Sequence, residues 1–117
     1  MKNDAIMSKE ERIDQMRRYL LEKFQLPRDQ VDVMLPKFIS TLVSHMENIE
    51  DALSEGDTMV IGKNAHTMKG ALLNLGLHDC AEIARDLEEK GKAGDASVDY
   101  SALVGHLRTT LGELVSQ

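Results

Sequence analysis

The 117-residue sequence has no tryptophan, two phenylalanines, two tyrosines, two prolines and a single cysteine. With so few aromatics to fill strands, and with Leu, Met, Ala, Glu and Lys abundant, the composition favours helices over sheets. Cys80 has no second cysteine to pair with, which excludes an internal disulfide and fits a reducing compartment. No apolar run approaches the ~20 residues of a membrane span. The opening Met1-Lys2-Asn3-Asp4-Ala5-Ile6 lacks the apolar centre of a secretory leader. Basic charge is also short: 14 Lys and Arg against 20 Asp and Glu leave a net charge of −6, which argues against a non-specific nucleic-acid binder. Glycine-rich phosphate loops, dinucleotide fingerprints and metal-ligand clusters are missing as well, so no ATP site, cofactor or metal of its own is expected. A chain of this length makes one domain, taken as residues 1–117, with one core. A soluble, monomeric, cytoplasmic protein is expected, standing alone or forming part of a larger one.

What is present is helical periodicity. Ser8 and Glu11 read as a capping box opening a helix over about residues 8–25, with Ile13, Met16, Leu20 and Phe24 on its inner face. Arg17, Arg18 and Lys23 read as its wet face. Asp29 is a candidate cap for the next helix, whose stripe is Leu35, Ile39, Leu42, Met46, Ile49 and Leu53. Pro36 either restarts that helix or kinks it. Gly56 ends it, and Asp57 or Thr58 begins a third, with Ile61, Ala65, Met68, Leu72 and Leu75 inward and Gly76 closing it. Asp79 is a candidate cap for a fourth, with Cys80, Ile83, Ala84 and Leu87 inside, dissolving into a polar loop over Lys90–Asp95. Ser97 or Asp99 starts the last helix, which buries Leu103, Val104, Leu107, Leu111 and Leu114. The expected fold is all-α: an antiparallel up-down four-helix bundle over about residues 29–115, with an additional N-terminal helix across one end or side.

The stretch Ala65-His66-Thr67-Met68-Lys69-Gly70 stands out within this frame. Positions three and four apart share a helix face, so His66 has Gly62 and Lys63 one turn behind and Lys69 and Gly70 one turn ahead. Two glycines inside a helix cost about 1 kcal/mol each relative to alanine, which points to clearance for an approaching molecule. His66 lies about 100° off the apolar stripe, so its ring emerges at the edge of the core. Leu73 falls on the same outward face, and Asn74 lies about 80° round from His66. A neutral imidazole is a good nucleophile, and lysines beside it would hold negative charge. Phosphoryl transfer needs little more than in-line approach and positive charge near the equatorial oxygens. Without an ATP site, such a chain would be a carrier and not an autonomous enzyme. His45, His66, His78 and His106 include no pair at i, i+3 or i+4 spacing; His78, Asp79 and Cys80 are too close in sequence to share one helix face, and His45 and His106 read as surface or boundary residues.

The string His66-Thr67-Met68-Lys69-Gly70-Ala71-Leu72-Leu73-Asn74-Leu75-Gly76 resembles the signature of histidine-containing phosphotransfer (HPt) domains of two-component phosphorelays. Glu55-Gly56-Asp57 resembles that family's turn into the phosphorylated helix, and Cys80 to Glu88 its next helix. The similarity covers about Leu35 to Leu114 and fits the first helix and the Pro36 region least. It implies a four-helix bundle with the phospho-accepting histidine, His66, on its second helix. It implies phosphorylation by a receiver-domain aspartate or an upstream kinase, such as a hybrid sensor histidine kinase, and onward transfer to another receiver. Lys69 would stabilise the phosphoryl group, Gly70 would leave room for the partner, and the magnesium would belong to the receiver. The alternative is an HPt-like module that binds receiver domains without carrying phosphate.

Overall fold

A computed structural model describes residues 7–116 of the chain. Met1–Ile6, the segment bearing on a secretory leader, and Gln117 lie outside the described residues. Among the described residues the secondary structure is entirely helical: α1 (Lys9–Phe24), α2 (Arg28–Glu55), α3 (Thr58–Asn74), α4 (His78–Ala93), α5 (Tyr100–Leu111) and a final 3₁₀ turn (Gly112–Val115). Helices α2 to α5 pack in chain order, and α5 returns to α2, closing a four-helix bundle. The pairings of Gly62 with Lys92 and of His66 with Glu88 run in opposite senses along α3 and α4, so these helices are antiparallel. No helix is long and apolar enough to cross a membrane.

Local chemistry accounts for the helix ends. Ser8 accepts from the Glu11 N–H while Glu11 accepts from the Ser8 N–H, closing the expected capping box on α1. Asp57 caps α3 through the Val60 N–H, and Asp99 caps α5 through the Ala102 N–H. Gly56 takes the left-handed conformation that ends α2, and Gly76, with φ of 76°, turns the chain just after α3.

Several expectations need correction. Pro27, not Asp29, stands at the N-cap of α2, and Asp29 lies in its first turn. The helix runs unbroken through Pro36, because Val31 and Leu35 on one side and Leu42 and Met46 on the other are buried in the same core. The only bond forfeited by proline is one to the Asp32 carbonyl, on the exposed side of the helix. Leu77, not Asp79, is the N-cap of α4. The polar stretch from Lys90 to Ala93 is helix and not loop, ending at Gly94 in the left-handed conformation. Phe24 is 52% exposed. It lines an apolar hollow of about 650 Å³ with Leu20, Leu26, Met34 and Phe38 instead of entering the core.

The core stripe of α3 is as expected, with Ile61, Ala65, Met68, Leu72 and Leu75 all buried. Helix α1 closes the bundle end where α3 finishes and α4 begins. Tyr19 lies so close to Gly76 that a Cβ there would meet the ring. Arg12 is wholly buried and forks onto both carboxylate oxygens of Asp79, at 3.0 and 2.8 Å, with a further bond to the Thr110 carbonyl at 2.9 Å. This bidentate ion pair ties α1 to both α4 and the end of α5.

Candidate functional site

The site begins where α3 and α4 touch. A Cβ on Gly62 would lie 2.8 Å from the Lys92 backbone nitrogen, and one on Gly91 would lie 2.7 Å from the Thr58 carbonyl oxygen. Only glycine lets the two backbones come this close. Gly62 is therefore not clearance for an outside partner, as its spacing from His66 suggested: it is buried against α4. Gly70 is different. Nothing lies within 4 Å of where its Cβ would be, so the surface beside it is open.

One helical turn beyond the glycine contact, the close approach brings Glu88 of α4 under His66 of α3. The His66 side chain is 59% exposed and that of Glu88 only 11%. Nδ1 of His66 lies 2.6 Å from Glu88 Oε2. Lys69 Nζ lies 2.7 Å from Oε1 in an ion pair. Lys92 Nζ donates to Oε2 at 3.1 Å. Lys69 foremost, with His66 and Lys92 adding to it, holds the Glu88 carboxyl down at about 2 against the burial that pushes it up.

An ionised carboxylate can only accept, so the imidazole must carry its proton on Nδ1. In the neutral ring the Nε2 lone pair is then free on the exposed side. The geometry thus selects one tautomer and presents a nucleophilic nitrogen to solvent. Two lysines against one carboxylate leave the cluster with an excess positive charge, suited to an incoming anion.

Of the residues singled out by spacing, His66, Lys69 and Gly70 stand together on the outer face of α3. Lys63 is exposed, and the cation that joins Lys69 at Glu88 is Lys92 of the neighbouring helix. Leu73 is 42% exposed, and Asn74 lies at the rim of the apolar hollow with Ala71 and Thr41. Glu88 and Lys92 were not found by sequence reasoning, although Glu88 directly follows Leu87 of the buried stripe and Lys92 is four residues on. His78 and His106 are exposed, and His78 packs edge-on against Tyr19 at 5.8 Å between ring centroids. Among the described residues no group of three or more His, Cys, Asp or Glu could hold a metal ion.

No curated protein and no solved structure matches the chain. The family model of the Hpt domain does, over residues 33–117, leaving α1 and the first turn of α2 outside the matched region. A bundle of this topology, an exposed imidazole on the second bundle helix and a match over most of the sequence converge: the chain belongs to the Hpt domain family and has that family's phosphotransfer role in two-component signalling, in which Hpt domains work with receiver domains.

Proposed function

We propose that the chain is a histidine phosphotransfer protein whose acceptor atom is Nε2 of His66. The observation that carries this reading is the 2.6 Å contact of Nδ1 with the nearly buried Glu88, which leaves Nε2 as the free, exposed ring nitrogen. In the proposed step the Nε2 lone pair attacks the phosphorus of a receiver's aspartyl phosphate. An N–P bond forms, the P–O bond to the aspartate breaks, and the electron pair leaves with the carboxylate. The proton stays on Nδ1, so the ring gains formal positive charge facing Glu88, which stabilises it as a carboxylate stabilises an imidazolium. The reverse step, against a second receiver, discharges the carrier.

Lys69 lies one turn from His66 and supplies positive charge to the transferring oxygens. Gly70 leaves the approach open. Leu73 and Asn74 belong to the face a receiver would cover. The magnesium that neutralises the phosphoryl oxygens would be the receiver's. A hybrid sensor kinase is the proposed upstream donor, and the cytoplasm the proposed compartment, with the chain acting as a monomer.

Incubation with phosphorylated receiver domains tests the reading. The wild-type chain should take up an acid-labile label, and His66→Gln, still folded, should take up none. Labelling of His66→Gln at the wild-type level would overturn it. Receiver binding without any label on the wild-type chain would assign the non-phosphorylated binding module instead.

A further inference from the structure

Lys69 is held by Glu88, yet the transfer chemistry requires it at the phosphoryl group. Its 2.7 Å ion pair is with Oε1, the oxygen that neither His66 nor Lys92 uses, and its side chain is 23% exposed, so its ammonium can be drawn to an incoming anion while the other two contacts stay in place. Glu88 cannot lose its cations so easily. Its side chain is 11% exposed, and a nearly buried carboxylate left without a counter-charge is costly. Lys92 is placed to prevent that. It donates to Oε2 at 3.1 Å, the same oxygen that receives the His66 Nδ1–H. Its own backbone nitrogen lies against Gly62, so the side chain springs from a point where α3 and α4 are in backbone contact.

We propose that Lys92 is a positioning residue for the phosphorylated state: it keeps Glu88 charged and aimed at Nδ1 of His66 while Lys69 crosses from Glu88 to the phosphoryl oxygens. This deepens the reading of His66 as acceptor and rests on it. The sequence of contacts follows from charge. Before transfer, Glu88 is shared by His66, Lys69 and Lys92. As the N–P bond forms, three phosphoryl oxygens arrive one turn from Lys69 and draw its ammonium away. The ring becomes cationic at the same moment, so Glu88 exchanges one positive partner for another and Lys92 holds its orientation throughout. A merely structural Lys92–Glu88 contact would be an ordinary i, i+4 helix pair, which steadies a helix slightly and has no bearing on transfer.

The experiment uses the full chain with a phosphorylated receiver domain and compares wild type, Lys92→Met, Lys92→Arg and, as a control for net charge, the exposed Lys37→Met. Transfer rate, ¹⁵N shifts of the His66 imidazole and thermal unfolding are measured on each. Lys92→Met should unfold within a few degrees of the wild-type temperature and still be labelled at His66. Its transfer rate should fall about two- to fivefold, the upper part of the range for one partly exposed charged contact. Its Nδ1 signal in the phosphorylated form should shift away from the hydrogen-bonded position. Lys92→Arg should restore both, and Lys37→Met should change neither. A Lys92→Met rate within twofold of wild type with an unmoved Nδ1 signal would overturn the proposal while leaving His66 as the acceptor. Absence of acid-labile label from the wild-type chain would overturn the acceptor reading and this inference with it.

Discussion

Gly62 and Gly91 stand face to face where α3 crosses α4: a Cβ built on Gly91 would lie 2.8 Å from the Gly62 nitrogen and 2.9 Å from its Cα. The obstacles are backbone atoms, which cannot rotate aside as a side chain can. Gly91→Ala should therefore force the helices apart. A destabilisation of about 1–3 kcal/mol is expected from such overpacking. The same displacement would draw Glu88 from His66, so the rate of phosphotransfer should fall along with the urea midpoint. Wild-type stability in Gly91→Ala would show that the helices can part without cost.

Gly70 should behave in the opposite way. It sits inside α3 with open space where its Cβ would be. Gly70→Ala should raise stability by about 0.5–1 kcal/mol through helix propensity alone. Gly70→Gln should keep the fold and slow transfer from a receiver, because the added side chain stands beside the proposed acceptor. Comparing melting temperature with transfer rate separates the two effects, and a Gly70→Gln protein with unimpaired transfer would remove Gly70 from the docking face.

Arg12 should be costly to lose. Arg12→Met removes the fork onto Asp79 and the bond to the Thr110 carbonyl. Asp79 is half exposed and can return to water, so the expected destabilisation is about 2–4 kcal/mol, not the largest seen for a broken buried pair. Chemical denaturation measures it directly.

Acid should weaken the fold in a definable window. Lys69, with His66 and Lys92, holds Glu88 at about 2 in the folded chain against an ordinary value of 4.5, and the fork from Arg12 lowers Asp79 as well. A carboxyl depressed in the native state contributes stability above its unfolded value and loses it as pH falls towards the folded one. The urea midpoint should therefore drop as pH is lowered from 4.5 towards 2, and Glu88→Gln should show a shallower drop. Equal slopes in the two proteins would mean that Glu88 does not carry the linkage.

Cys80 should be inert while the chain is folded. Burial pushes its thiol up to about 12, and the thiolate is the reactive form. A thiol reagent at pH 8 should modify it only as fast as the chain unfolds, and denaturant should accelerate the reaction sharply.

The bundle and the position of His66 were legible in the sequence because both follow from period. The steps of four and three from Ile61 to Leu75 place the buried face, and His66 falls one residue off it. The partners of His66 were not legible in the same way. Glu88 stands in Asp86-Leu87-Glu88-Glu89, where one acid looks like another, and its relation to His66 exists only once α3 and α4 are in contact. Lys92 was lost for a related reason: Gly91 and the charges around it resemble a loop, but tertiary packing keeps them helical, with Gly91 buried against α3. Arg12 lies four residues before Met16, in phase with the buried face of α1. A charge at such a position reads as surface until its distant partner Asp79 is seen. Phe24 shows the converse, an apolar residue in phase with the stripe but one turn beyond the end of the core.

The clasp between Arg12 and Asp79 also bears on where this protein can be cut. The Hpt match starts at residue 33, inside α2, yet Met16 and Leu20 are buried in the same core as Leu72 and Leu77. A polypeptide trimmed to that border would bare one end of its interior to water and strip Asp79 of its cation. For this chain the recognisable unit of ancestry is shorter than the unit of folding.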